Sequence, residues 1–166
     1  NIQILISLLK KHNIKNIIAS PGTTNISFVA SVQSDNFFNV YSCVDERSAA
    51  YMACGMAAET QEPVVITCTG ATASRNYLSA LTEAYYRKLP IIAITATQHL
   101  ARIGQNIAQV IDRTVQIKDT VKKSIQLTSV HTSEDRWACN LKVNDVLLEC
   151  RRNGGGPVHI NMVTTY

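Results

Sequence analysis

The sequence predicts a doubly wound α/β domain: a mainly parallel sheet of five or six strands with helices on both faces. Three observations predict it. Helix-type and strand-type segments alternate along most of the chain. Two of the strand-type segments, PVVITC (63–68) and PIIAITA (90–96), are apolar on both faces, as strands buried in a parallel sheet must be. The length of 166 residues suits one domain, residues 1–166, which can bury about two-thirds of its unfolded surface.

The elements follow in order. Residues 3–12 carry Ile4, Leu5, Leu8 and Leu9 at helical spacing, the pattern of a helix with one apolar face. Residues 16–20 are a short β-prone run stopped by Pro21-Gly22, a pair that breaks regular structure. A second helix is expected at 24–33, with Ser or Thr near its start, a second strand at 37–44 and a third helix at 45–59. The strand at 63–68, a helix at 74–87 and the strand at 90–96 continue the alternation. Beyond Gln98 the pattern loosens. A helix is expected around 106–110, a β-prone piece at 123–127, a helix at 135–152 and a final strand at 157–162. In open sheets of this kind, ligands sit beyond the carboxyl ends of the strands. That places SPGTT (20–24), VDE (44–46), TCTGAT (67–72) and TATQ (95–98) along one edge.

Composition excludes several functions. The net charge of +4 comes from scattered basic residues without interleaved aromatics, which argues against nucleic-acid binding. No apolar run approaches the roughly 18 residues of a membrane helix. Five cysteines are an odd count with no C-x-x-C pair, so neither a zinc site nor a disulfide framework is indicated and a reducing, cytoplasmic setting is expected. The start at Asn1 is read as a trimmed edge. The Rossmann glycine fingerprint, the P-loop and the nucleophile elbow are all missing. Gly154 to Gly156 precede a strand and read as the turn after a helix. The four histidines lack metal-ligand spacing, and no metal site is expected. His159, within VHIN, reads as a satisfied or surface strand residue rather than a base.

The stretch VDERSAAYMACGMAAET (44–60) is different. A carboxylate in the first turn of a helix is favoured by roughly 0.3 to 1 kcal/mol, and Asp45 can serve as N-cap, which is the plain structural reading of Glu46. Yet Ala49, Ala50, Ala53, Gly55, Ala57 and Ala58 leave little bulk and let another backbone come close. Glu46 is then expected to be buried at a tight junction, with Arg47 available to neutralise it. A buried carboxylate without a cation becomes a shared-proton partner near neutrality.

The run DERSAAYMACGMA (45–57) resembles the segment bearing the cofactor-activating glutamate in the N-terminal pyrimidine-binding (PYR) domain of thiamine-diphosphate enzymes of the acetolactate synthase and pyruvate oxidase group. Other segments match in order. SPGTTN (20–25) resembles that family's Pro-Gly turn after the first strand. Residues 67–97 resemble its T-x-G-x-x-x-x-N stretch and the apolar strand beyond it. GQNIAQ (104–109) matches the G-x-x-x-x-Q of its active-site loop, and GGGPVHINM (154–162) is similar to its closing strand. The resemblance covers essentially the whole chain.

The resemblance implies thiamine diphosphate as cofactor, with Glu46 donating a hydrogen bond to ring nitrogen N1′ of the aminopyrimidine. It implies that Pro21, Gly22, Thr69, Thr72 and Asn76 lie near the pyrimidine, and that Gln109 reaches the substrate, a small 2-oxo acid. In the family, the diphosphate and Mg2+ are held by a separate PP domain with a Gly-Asp-Gly motif, which this chain lacks. The chain is therefore expected to be the PYR domain of a longer enzyme, or a small subunit paired with a PP subunit, inactive alone and paired as a homodimer through the helix at 45–59. DERSAA is closest to the menaquinone-pathway carboligase. That enzyme's pattern has Ser-Arg after the Pro-Gly turn and Arg after the fourth strand, where this chain has Thr23-Thr24 and Gln98. An acetolactate-synthase-like carboligase is an equal reading. The alternatives are a 2-oxo acid decarboxylase and a catalytically silent binding module.

Overall fold

The computed structural model of the chain describes residues 1–113 and 117–164. Their elements run α1 (Ile2–Lys11), β1 (Asn16–Ala19), α2 (Ile26–Gln33), β2 (Asn39–Ser42), α3 (Glu46–Thr60), β3 (Val64–Thr69), α4 (Thr72–Arg75), α5 (Leu78–Arg87), β4 (Ile91–Thr97), β5 (Lys123–Leu127), α6 (Ser133–Glu149) and β6 (Val158–Val163). The six strands form one sheet in the order β2-β1-β3-β4-β6-β5, and every pairing is parallel. The expected doubly wound α/β fold is borne out.

Two apolar cores sandwich the sheet because its central strands are buried at every position. On one face Leu5, Leu9, Phe28, Val32, Val143 and Leu147 of α1, α2 and α6 pack on Ile17, Val65, Ile92 and Ile160. On the other face, α3 and α5 present mostly alanine against Ile18, Val64 and Ile66. Small side chains bring α3 and α5 together closely enough for the Cys54 thiol to reach the Ala80 carbonyl at 3.4 Å. Part of the alanine content of α3 is thus explained within the chain.

Four expectations need correction. The helix foreseen at 106–110 is a series of turns, because Gly104, Asn106 and Gln109 all take positive φ, which a helix cannot absorb. The helix foreseen at 74–87 is two, α4 and α5. The buried Ser74 hydroxyl reaches back to the Gly70 and Ala71 carbonyls, and the ladder tightens to Asn76 N–H on Ala73 and Tyr77 N–H on Ser74, a short-range pattern that interrupts an α-helix. α2 starts at Ile26 instead of Thr24, because Thr24 and Asn25 turn their side chains inward to the sheet edge. α6 opens on a capping box, Thr132 with Asp135, which fixes its start two residues ahead of expectation.

Candidate functional site at the carboxyl edge of the sheet

Strand order decides where a ligand can sit. β1 leads outward to β2, whereas β3 leads the other way to β4, so the segments after β1 and β3 diverge and leave a crevice between them. Pro21, Gly22, Thr69 and Thr72 follow or end these two strands, and Glu46 follows β2 on the same edge.

The Pro21–Gly22 turn is pressed onto β3. A Cβ on Gly22 would lie 2.3 Å from the Thr69 methyl, so only glycine fits this approach. A Cβ on Gly70 would lie 2.6 Å from the Ala96 carbonyl oxygen, and that carbonyl accepts from the Gly70 N–H and from the Thr24 hydroxyl. Buried Ser20 ties three strands together: its N–H donates to Thr67, its hydroxyl donates to the Cys43 carbonyl at 2.7 Å, and its carbonyl accepts from the Asn25 amide at 3.1 Å.

Glu46 is the first residue of α3. Asp45 caps the helix, its carboxylate accepting from the Ser48 N–H at 2.7 Å, and Ser48, through its side chain first and this N–H second, holds the Asp45 carboxyl below its ordinary value. Capping by Asp45 leaves Glu46 free of that duty. Its Oε2 accepts from the Asn76 side-chain amide at 3.3 Å, while Oε1 makes no hydrogen bond and the carboxylate forms no ion pair among the described residues. Glu46 is half-buried rather than buried, a correction with a plain cause: β2 is an edge strand, and no other element among the described residues covers the start of α3. Thr72 and Asn76 are exposed at the two ends of α4, Pro21 is exposed, and Thr69 is buried. Gln109 is apart. It is exposed in the turns after β4, with no hydrogen bond to Glu46, Asn76 or the Pro21–Gly22 turn among the described residues.

Sequence reasoning passed over two features. Arg113 donates to the Gly70 carbonyl from Nε and from a terminal nitrogen, at 2.9 and 2.6 Å. Burial first and neighbouring Arg75 second pull its guanidinium down to about 10, so it stays charged at neutral pH. Gln98, standing where the carboligase pattern has arginine, accepts a hydrogen bond from Arg102 four residues on. A separation of 43 residues hides the first contact, whereas the second was open to a search for basic residues one turn beyond the strand.

No group of three or more His, Cys, Asp or Glu that could hold a metal comes together among the described residues. None of their helices is long and apolar enough to cross a membrane. What the edge does provide is a tight glycine turn, a carboxylate with one unengaged oxygen and an amide beside it, a donor set that fits the aminopyrimidine half of thiamine diphosphate.

The sequence profile of the family described as "Thiamine pyrophosphate enzyme, N-terminal TPP binding domain" matches residues 2–117. This chain belongs to that family. Among the relatives of the thiamine-diphosphate-binding domain, the 2-succinyl-5-enolpyruvyl-6-hydroxy-3-cyclohexene-1-carboxylate synthase of Bacteroides thetaiotaomicron is 40% identical over 162 residues, covering 98% of this chain and 29% of the relative. The protein of the same name from Porphyromonas gingivalis is 35% identical over 162 residues, covering 97% and 28%. The domain thus spans about three-tenths of the length of these relatives. In fold it is similar to the thiamine diphosphate-dependent 4-hydroxybenzoylformate decarboxylase of Rhodococcus jostii, with a TM-score of 0.80 at 21% identity over 98% of this chain and 29% of that one.

Proposed function

We propose that this chain is the pyrimidine-binding half of a thiamine-diphosphate-dependent 2-oxo acid carboligase and that Glu46 activates the cofactor. The observation that carries the reading is the Glu46 carboxylate: placed at the carboxyl edge beside the switch-point crevice, oriented by Asn76 at 3.3 Å, and without an ion-pair partner among the described residues. Such a carboxylate can exchange a proton with a ring nitrogen, which a salt-bridged one resists. Gly22 and Pro21 give the ring a floor without side-chain bulk, Thr69 backs that floor, and Thr72 and Asn76 face the same edge. Thiamine diphosphate, when bound, supplies a thiazolium carbon that adds to a 2-oxo acid and holds the electrons left when carbon dioxide departs. Its diphosphate and Mg2+ belong, on this reading, to a PP domain in the same polypeptide or a partner subunit.

The relatives named as 2-succinyl-5-enolpyruvyl-6-hydroxy-3-cyclohexene-1-carboxylate synthases favour a carboligase over a decarboxylase. Thr24 is buried with its hydroxyl on Ala96, so it makes no contact with a carboxylate acceptor. Arg102 on Gln98 returns one guanidinium to the other corner, and Gln109, exposed in the turns after β4, is assigned to the substrate side. A homodimer forms through α3, whose Tyr51 and Met52 stand exposed, and the assembled enzyme works in the reducing cytoplasm.

Glu46→Gln in the assembled enzyme is the test. It should slow exchange of the cofactor C2 proton by roughly 10²- to 10⁴-fold, the usual contribution of a positioned acid–base group, with the melting temperature unchanged. An unaltered exchange rate returns Glu46 to a helix-terminal charge and ends the proposal.

A further inference from the structure

Two hydrogen bonds from one guanidinium converge on a single carbonyl at the carboxyl edge. Arg113 donates to the Gly70 oxygen from Nε at 2.9 Å and from a terminal nitrogen at 2.6 Å. The same oxygen accepts from the Ser74 hydroxyl at 3.1 Å. In the return direction, the Arg75 guanidinium donates to the Asp112 carbonyl at 3.5 Å. Residues 112 and 113 are thereby stitched to both ends of the stretch 70–75.

Between those stitches lies a helix that cannot hold itself. α4 has four residues, and its N-cap residue, Ala71, gives it no side-chain cap. A single helical turn fixes several dihedral angles for one hydrogen bond, which is unfavourable without support from outside. The support enters through Gly70. Its N–H is bonded to the Ala96 carbonyl at 2.6 Å, and a Cβ on it would lie 2.6 Å from that same oxygen, so the residue has no room toward β4. What is left to set is the plane of the Gly70–Ala71 peptide, and the groups that hold its carbonyl set it. Ser74 divides one proton between the Gly70 and Ala71 carbonyls, whereas Arg113 brings two protons and a charge, the stronger kind of donor. The plane matters because of what α4 carries. Asn76 is its C-cap residue, and the Asn76 amide donates to Glu46 Oε2 at 3.3 Å, the one hydrogen bond of that carboxylate among the described residues.

We propose that Arg113 is a positioning residue for Glu46: by fixing the Gly70–Ala71 peptide it seats α4 and so aims Asn76 at the carboxylate. Arg113 follows Gln109 by four residues, so the segment assigned to the substrate side also steadies the acid assigned to the cofactor. The proposal rests on the reading of Glu46 as the cofactor-facing acid. Its test contains no cofactor, so its failure is distinct from that of Glu46→Gln.

Amide hydrogen exchange, amide resonances and the Asn76 side-chain amide resonances are measured by NMR on the 166-residue chain for wild type, Arg113→Met and Arg113→Lys, each with and without Asn76→Ala. Arg113→Met is expected to shift the Asn76 side-chain resonances and the Glu46 amide resonance. It should also speed exchange at Ser74 and Asn76, whose N–H groups bond Ala71 and Ala73, by roughly three- to tenfold, the signature of a local opening. Strands β3 and β4 and helix α5 should keep wild-type protection. Arg113→Lys should recover part of these signals, because an ammonium can still donate to the Gly70 carbonyl. In the Asn76→Ala background, Arg113→Met should no longer move the Glu46 amide resonance, since the route between them is gone. Unmoved Asn76 side-chain resonances in Arg113→Met overturn the proposal. A rise in exchange throughout β3, β4 and α5, or no recovery in Arg113→Lys, assigns Arg113 a packing role and overturns it equally, as does a Glu46 shift that persists without Asn76. If Arg113→Met does not fold, Arg113→Gln takes its place under the same criteria.

Discussion

Two polar clusters along the sheet differ in how completely they are satisfied. Across β4, β6 and β5 the Ser124 hydroxyl meets His159 Nδ1 at 2.7 Å, His159 Nε2 meets the Thr95 hydroxyl at 2.8 Å, and Thr95 donates to Asn161 Oδ1 at 2.7 Å. The Asn161 amide then donates to Gln126. Because Thr95 spends its only proton on Asn161, it must accept from His159, which fixes the neutral tautomer with the proton on Nε2 and leaves Nδ1 to accept from Ser124. The second cluster, around Ser20 at the ends of β1 and β3, keeps two buried atoms unpaired and one carboxylate oxygen unengaged. A saturated buried network holds strands together and has nothing to offer a ligand. An unsaturated one at a switch-point edge is where a ligand can bind.

The strongest way to break this comparison is at the seam between the clusters. Gly70→Ala would drive a Cβ onto the Ala96 carbonyl, a backbone atom that cannot swing aside. It would also strain the carbonyl that Arg113 grips. A loss of about 3 kcal/mol or more is expected, the upper range for overpacking, read from urea denaturation. Gly22→Ala meets a methyl group instead, so it should cost less, and Thr69→Ser, which removes that methyl, should restore most of the loss. Equal penalties at both glycines would show that the Pro21–Gly22 turn is as rigid as the central sheet.

These differences also mark what could be read from the sequence. The apolar strands, the Pro21–Gly22 turn and the acid after β2 were legible because each depends on residues adjacent in the chain. Positive φ at Asn106 and Gln109 was not, since neither residue type demands it. The half-burial of Glu46 was misjudged because alanines in α3 were credited to an outside surface when several serve α5. Tyr77 gave no signal at all. Within NYLSAL it reads as an ordinary helix residue, and only the packing of α3, α5 and β3 around it buries its hydroxyl without a hydrogen bond among the described residues. Such packing is fixed by strand order, which a single sequence does not print.

A second measurement sharpens the contrast from the saturated side. Burial, with smaller contributions from Arg113 and Arg75, pulls the His159 imidazole down to about 3, against about 6.5 in an unfolded chain. Above pH 6.5 neither state binds the proton and stability is full. As pH falls from 6.5 toward 3 the unfolded chain takes up a proton that the folded one refuses, so stability drains away. Between pH 7.5 and 5 the loss should be roughly 2 kcal/mol from this one group. Thermal melting across that range should show it, and His159→Gln, although less stable at pH 7.5, should show a flatter profile. A native slope that survives the substitution would place the titration elsewhere.

The smallest effect is expected on α3, where the proposed pairing of two chains can be separated from the fold. Gly55 lies in the interior of this helix, exposed, and no atom stands within 4 Å of where its Cβ would be. In a lone chain Gly55→Ala has nothing to collide with and removes the backbone freedom that makes a helical glycine unfavourable, so it should stabilise the fold by about 0.5 to 1 kcal/mol. In a pair of chains meeting across α3, the same methyl enters the space that lets the backbones approach. The two effects therefore have opposite signs and separate observables. Thermal melting at low micromolar concentration should rise by a few degrees, while sedimentation of the same samples should show weaker self-association. If the melting temperature rises and association is untouched, the open face of α3 is not where two copies meet, and Tyr51 and Met52 must be covered by something else.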